Sequence, residues 1–329
     1  MNTIRRREAL QWTMGAACAL ALPAARAQAQ PETARIFVGF PPGGAPDFFA
    51  RRLAEELNGK LAKTVLVENK PGAGGRIAID SSRQAPPDGT TLLLNPAGVL
   101  SINPHSYRKL SYDPFKDFAP LSLAATVDFG FGVGPAVPAN VSNVAEFAAW
   151  AKANKGKVSY GSPAAGSPPH FVGDALSRKL DLDMTHVPYR GGGAALNDLM
   201  GGQIAALVLT LGDMITHAKA GRLRLLASTG PARSRFAPEL ATFEQQGMPG
   251  LEMRDWFGVY IPGAPPAEVV ARTAAIVRAA VAAPGYVEAL RIANYEAAAS
   301  TPQELEKLAR SDLDRWAPIV KASGFQADV

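Results

Sequence analysis

Four loops of one composition punctuate this chain, and they constrain its fold more than any single residue does. Each is rich in Gly, Ala and Pro, follows a short apolar run and precedes a helix-like stretch. They are Pro41–Asp47, Pro71–Gly75, Ser162–His170 and Pro188–Gly193. Strand, glycine-rich loop and helix in repeated order predict an α/β fold, a largely parallel sheet with helices on both faces. Such loops bring bare backbone N–H groups to the positive end of a helix, a site for a carboxylate or phosphate. Two loops lie early and two late, as expected if two lobes each supply half of a cleft.

The apolar pattern places the elements. Arg35–Phe40, Thr64–Glu68 and Thr90–Leu94 read as strands. A helix from Pro46 to about Asn58 carries Phe49, Leu53 and Leu57 on one face. A second helix, Ile77–Arg83, is stopped by Pro86 and Pro87. Phe118–Val133 is a long, mostly apolar run suited to cross from one lobe to the other. Strands at 158–160, 184–187, 204–209 and 223–227, with helices at 144–153, 171–180, 194–200 and 214–220, make a second α/β unit. Trp256–Ile261 is placed to cross back, and helices Pro266–Val281 and Pro302–Ala322 close the chain. The expected first lobe is 31–128 plus 257–329 and the second is 129–256, with two crossing strands as the hinge. In such open sheets the ligand sits at the C-terminal ends of the parallel strands.

Residues 1–29 read as a targeting segment. Arg5, Arg6 and Arg7 are followed by the apolar Trp12–Pro23, and Ala25-Arg26-Ala27 or Ala27-Gln28-Ala29 fits a small-x-small cleavage site. The Arg pair with Leu10 leaves both general secretory and twin-arginine export open. A lipid anchor on Cys18 is disfavoured, because Gly15 stands where an apolar residue is wanted. Cleavage would remove the single Cys, leaving a periplasmic chain with no disulfide. It would also remove four Arg and one Glu, lowering the formal charge from +5 to +2. No basic stripe for nucleic acid remains. At 47% hydrophobic and 19% charged the composition is globular, and no later run is apolar for long enough to span a bilayer.

Local catalytic signatures are missing. Ser162 and Ser167 lack the glycine frame of a nucleophile elbow. No metal-ligand spacing links His105, His170, His186 and His217. Gly72-x-Gly74 lacks the third glycine of a dinucleotide fingerprint, so no cofactor and no metal is expected.

Ordered blocks then carry a family resemblance. Val38–Asp47, Val67–Gly75, Pro87–Leu94, Ile102–His105, Tyr112–Pro120, Gly166–His170, His186–Gly192 and Trp256–Gly263 resemble, in that order, the Bug-type extracytoplasmic solute receptors. These are the substrate-binding proteins of tripartite tricarboxylate transporters. The resemblance implies a two-lobed, flytrap-like periplasmic binding protein (type II-like) that holds ligand carboxylates between its lobes. It also implies a membrane permease as partner. The protein itself is expected to be a monomer. Two departures stand out. Ala164 occupies a position where the family often has glycine, and Ile204–Thr210 lacks the acidic residues common in that strand, which suggests a less polar ligand body.

The candidate ligand-binding residues follow from the loops. Gly43 and Gly44, with Pro42 and Phe40, offer close backbone approach at the first loop. Asp47 either shapes that loop through nearby N–H groups or touches the ligand. Gly74 belongs to the second loop. Asn95 ends the third strand, where it reaches ligand or ties down the next turn. Ser162, Ala164, Gly166, Ser167 and His170 form the third loop, with hydroxyls able to donate to a carboxylate or to cap the loop. Tyr189 and Arg190 carry the fourth, where Arg190 forms a bidentate carboxylate bond or a structural ion pair. Thr210 ends a strand near the cleft. Phe40, Phe48, Phe129, Phe131 and Trp256 are core candidates, of which one or two can line the pocket. Two rival readings are a ligand sensor for a signalling partner, and a secreted hydrolase or lyase using Ser162 or Ser167 with His170.

Overall fold

A computed structural model describes residues 30–327. The expected targeting segment, 1–29, lies outside the described residues.

The first half begins with β1 (Thr33–Val38), α1 (Ala45–Leu57), β2 (Thr64–Asn69), α2 (Arg76–Ser82) and β3 (Thr91–Pro96). The strands form a parallel trio in the order β2-β1-β3. In α1, Phe49, Ala50, Leu53, Ala54 and Leu57 make one buried face. Pro46 fits its first turn, where a missing N–H has no intrahelical acceptor to lose. Beyond α1, the Asn58 side chain accepts from Val65 N–H at 2.7 Å and turns the chain into β2. Two single-turn helices after β3, α3 (Gly98–Ser101) and α4 (Asn103–Ser106), are too short to leave a periodic signal.

One strand, β4 (Phe118–Val133), then runs through both halves. Its residues 118–128 pair antiparallel with β9 (Arg254–Pro262), which also pairs with β3. Its residues 129–133 pair antiparallel with β7 (Ala206–Thr210) on one side and β8 (Arg224–Ser228) on the other. The second half contains α5 (Val144–Ala153), β5 (Val158–Ser162), α6 (Pro168–Lys179), β6 (Met184–Pro188), α7 (Gly192–Met200) and α8 (Leu211–Lys219). Here β6-β5-β7 is again a parallel trio. The continuous order is β2-β1-β3-β9-β4-β7-β5-β6. The sheet is thus mixed: a parallel trio in each half meets antiparallel strands around β4.

β9 differs from its expected course. From Arg254 onward it pairs with 118–128, so it stays in the first half. The chain returns just ahead of it, where Thr229 N–H bonds Phe129 O and Met253 N–H bonds Thr229 O. Three helices, not two, follow it: α9 (Ala267–Val281), α10 (Pro284–Ile292) and α11 (Pro302–Ser323). Pro284 opens α10 from its first position, so a residue that reads as a breaker is a starter. A two-residue strand, β10 (Glu296–Ala297), pairs with β4. The capping box of Thr301 and Glu304 fixes the start of α11, and Gly324 with positive φ ends it.

One hydrophobic core spans both halves of the described residues. Phe49 of α1 packs edge-on against Phe257 of β9 at 5.0 Å and against Tyr295 at 4.8 Å. Phe131 of β4 packs against Phe147 at 5.0 Å. Phe49 is fully buried, so Phe49→Ala is expected to cost about 3–5 kcal/mol in urea unfolding. A loss under 1 kcal/mol would mean that this junction does not hold the core.

Candidate functional site

All four loops gather where the two halves meet, but they do not share one pocket. An inner cavity of about 240 Å³ lies over β4, β7 and β9, with Phe129, Leu209 and Phe257 in its wall. A more open groove of about 670 Å³ adjoins it. Phe40, Pro41, Pro163, Arg190 and Gly191 border both.

The first loop is built around Asp47. Gly43, at φ +92°, turns the chain so that its N–H donates to Asp47 Oδ2 at 3.0 Å. Arg51 donates to the same carboxylate at 2.9 Å, and so does Asn69 Nδ2. Asn69 Nδ2 also reaches Phe40 O. Burial pushes the Asp47 carboxyl up, but the bonds from Arg51, Gly43 and Asn69 outweigh it and hold it below the usual carboxylate range. Asp47 therefore ties β1, the loop and β2 together, and it does not border the cavity. Gly44 does border it. Its φ is −93°, and an added Cβ would meet only Pro46 Cδ at 3.8 Å. An alanine fits there without a clash.

The third loop is a self-contained hydroxyl network. Ser162 and Ser167 both donate to Ala164 O, at 2.9 and 2.7 Å. The single Ser162 proton is thereby committed, so at 2.8 Å His186 Nε2 is the donor and Ser162 Oγ the acceptor. His170 Nδ1 accepts from Gly166 N–H at 3.1 Å, and its ring stacks on His186 at 3.9 Å. Pro168 and Pro169 open α6, so its first two positions carry no N–H. The first turn of α6 therefore lacks two of the amides that a glycine-led helix start presents to an anion.

The fourth loop supplies them. Gly191 caps α7 with φ +108°, a conformation that admits little but glycine, and a Cβ there would meet Pro41 at 3.1 Å. The loop is strapped to the third by Tyr189 N–H to Ser162 O and Gly191 N–H to Pro163 O. Gly192, Gly193 and Ala194 then form the first turn of α7 and border the inner cavity. Their N–H groups are the donors a helix leaves unpaired, at the end that favours an anion by about 0.3–1 kcal/mol, or up to about 2 when partly buried. Arg190 is exposed on the rim and makes no ion pair among the described residues.

Of the residues expected at the site, Phe40, Pro42, Gly44, Ser167, Arg190 and Thr210 border the inner cavity. Gly74, Ala164 and Tyr189 border the groove. The Tyr189 hydroxyl donates to Asp198 at 2.8 Å and braces α7. Gly43, Asp47, Asn95, Ser162, Gly166 and His170 border neither, and serve the loops and the core. Among the aromatic candidates Phe129 lines the cavity, whereas Trp256 is buried elsewhere and donates to Asp312 at 2.7 Å. Sequence reasoning read the fourth loop through Gly193 as a source of bare amides but did not name Gly192, Gly193 or Ala194 among the binding residues. It also missed Asp213 and Asp255, two acids in the cavity wall. Asp213 sits in the first turn of α8, a position common for acids and so without distinction. Asp255 has no local signal at all.

The expected pairing of Ser162 or Ser167 with His170 does not form. Ser162 is fully buried and meets His186, not His170. Among the described residues no group of His, Cys, Asp and Glu is arranged to hold a metal ion. No described helix is long and apolar enough to cross a membrane.

A cavity between two α/β halves that share one strand defines a two-lobed protein of the periplasmic-binding class. The model of the Tripartite tricarboxylate transporter family receptor matches residues 49–325, and the chain belongs to that family. The periplasmic binding protein BugD is 30% identical with a TM-score of 0.84, covering 90% of this chain and 99% of that one. An R. palustris protein solved with adipate is 28% identical with a TM-score of 0.85, covering 90% and 98%. A Pseudomonas sp. protein of the tcbD–tcbE intergenic region is 33% identical over 286 residues, covering 86% and 84%.

The histidine stack makes stability depend on pH. Burial is the main cause that lowers His170 to about 4 and His186 to about 3, with Arg178 adding to the first and His170 to the second. Unfolded rings take up protons as pH falls through about 6.5 while the folded rings stay neutral. The folded state therefore loses stability from about pH 6.5 down to about 4. Asp255 acts in the opposite sense: burial raises its carboxyl to about 7, so stability falls as pH rises from the unfolded value of 3.8 toward 7. His186→Gln keeps a donor for Ser162 but does not titrate. Between pH 6.5 and 4 the wild-type Tm is expected to fall more steeply than that of His186→Gln; parallel curves would contradict the buried neutral stack.

Proposed function

We propose that this chain is a periplasmic solute receptor that captures a small organic acid in the inner cavity. The lobes close over the ligand, and the closed form delivers it to the permease of a tripartite tricarboxylate-type transporter. The observation that carries this reading is the first turn of α7. Three bare amides, from Gly192, Gly193 and Ala194, border an apolar cavity between the lobes. Membership of the receptor family and the adipate found in the R. palustris relative support it. The N-terminal Arg cluster and apolar run support export to the periplasm.

The lobes are 31–128 with the C-terminal segment, and the stretch after Phe129. The hinge lies where β4 changes partners, at Asp128 and Phe129, and where the chain returns ahead of Arg254. The Arg254–Asp128 pair at 3.0 Å sits at that point. The protein acts as a monomer and performs no chemistry on its ligand. The committed Ser162 proton and the weakly basic His186 leave no activated nucleophile.

Two measurements test the reading. A binding acid at a hundredfold excess over its Kd should stabilise the protein by about 2.7 kcal/mol in a thermal-shift series of carboxylates. Silence toward every acid, with a response to sugars, would end it. Gly193 offers a sharper test. A Cβ there meets no protein atom within 4 Å, so no packing demands glycine. Gly193→Ala should stabilise the unliganded protein by up to about 1 kcal/mol while weakening acid binding; unchanged affinity would place the ligand elsewhere.

A further inference from the structure

Two acids stand in the wall of the inner cavity, and their bonding differs. Asp213, in the first turn of α8, has both oxygens bonded. It accepts from Thr210 Oγ1 at 2.5 Å and from the Tyr295 hydroxyl, and the Ala45 N–H adds a further bond. Asp255, near the start of β9, is 3% exposed, and its Oδ1 has no hydrogen-bond partner. Successive side chains of a strand point to opposite faces. Asp255 therefore shares the face of Phe257, which also borders the cavity, while Trp256 turns to the other face and meets Asp312.

No cation neutralises Asp255. Burial pushes its carboxyl up to about 7, against a bond from the Trp256 N–H. Asp312 of α11 raises it further and Arg315 lowers it, but Arg315 is itself paired with Asp312 at 3.0 Å. Arg254, the preceding residue, is paired with Asp128. Among the described residues, the other charged side chains that border the cavity are Asp213 and Arg190. A protonated carboxyl donates one O–H, whereas a carboxylate only accepts. In a wall of Phe129, Leu209 and Phe257, an O–H without an acceptor is left with the cost of its desolvation. A ligand oxygen in the cavity supplies the acceptor. A carboxylate oxygen carries no proton, so it pairs with a neutral Asp255 and is repelled by an ionised one.

We propose that Asp255 is a ligand-binding residue that meets an oxygen of the bound carboxylate as a neutral acid, so that ligand and proton occupy the site together. This rests on the carboxylate reading above. The α7 amides favour the anion at any pH, and Asp255 makes its affinity depend on pH. Below about 7 the O–H is in place, and the affinity is full while the ligand itself stays ionised. Above about 7 the proton is lost and the affinity falls.

Titration calorimetry in buffers of different ionisation enthalpy tests it. The probes are benzoate, hexanoate and adipate, or the acid of largest thermal shift if none of the three binds. From about pH 7 to about pH 8.5 the wild type should lose about tenfold in affinity and, at the upper end, take up close to one proton per ligand bound. Asp255→Asn keeps a donor that does not titrate, so its affinity should stay level over this range with no proton uptake. Asp255→Ser takes its place if circular dichroism shows that Asp255→Asn does not fold. Infrared difference spectra of the unliganded protein read the group itself: a carboxylic C=O band should disappear over the same range in the wild type and be missing from the Asp255→Asn difference. A level wild-type affinity, a slope retained in the variant, or no such band overturns the role of Asp255 while leaving the carboxylate reading intact. Absence of binding by every acid overturns both.

Discussion

The structure depends on the single strand that belongs to both halves. β4 pairs with β9 through Asp128 and with β7 and β8 from Phe129. Every backbone group along a buried strand needs a partner, and here the partners change from one half to the other within one residue. The two sheets are therefore hydrogen-bonded into one body at the floor of the cleft, while their loops face each other above it. That placement puts Phe129 and Thr210, which are paired across the strands, into the cavity wall.

Close approach between the halves is then a matter of what the facing residues lack. A Cβ on Gly191 would meet Pro41 at 3.1 Å, and one on Gly212 would meet the Tyr295 ring at 2.5 Å. The second contact lets Tyr295 reach Asp213 across the junction. Burial raises the Asp213 carboxyl, against the bonds from Thr210 and Tyr295 that favour its charged form. Side chains from distant parts of the chain thus fill polar positions that the loops alone would leave open.

The loops look alike in composition and differ in chemistry. Proline at the first two positions of α6 removes the donors that glycine leaves bare on α7. Asp47 takes up a first-loop amide that would otherwise be free. One loop becomes a hydroxyl network around Ala164 O, one an ion-paired brace, and one a helix start with bare amides. The family to which the chain belongs is a receptor family, and this division of labour supplies a receptor with one concentrated patch of donors rather than a ring of them.

By itself the sequence determined the local architecture. Periodicities of apolar residues located nearly every long helix and strand, because Phe49, Leu53 and Leu57 on a helix, or Leu92, Leu93 and Leu94 on a strand, report their own burial. Glycine and proline marked the loops for the same local reason. It did not reveal α10, where Pro284 starts a helix instead of ending one. The tertiary structure alone decided which loop residues face the cavity. Asp47 turns into its own loop, Ser162 turns to His186, and Asn95 points into the core. Asp213 and Asp255 reach the cavity through strand order and helix packing, which join residues far apart in the chain. No pattern within a short window can carry that information, since it is the geometry of pairing around β4 that brings them there.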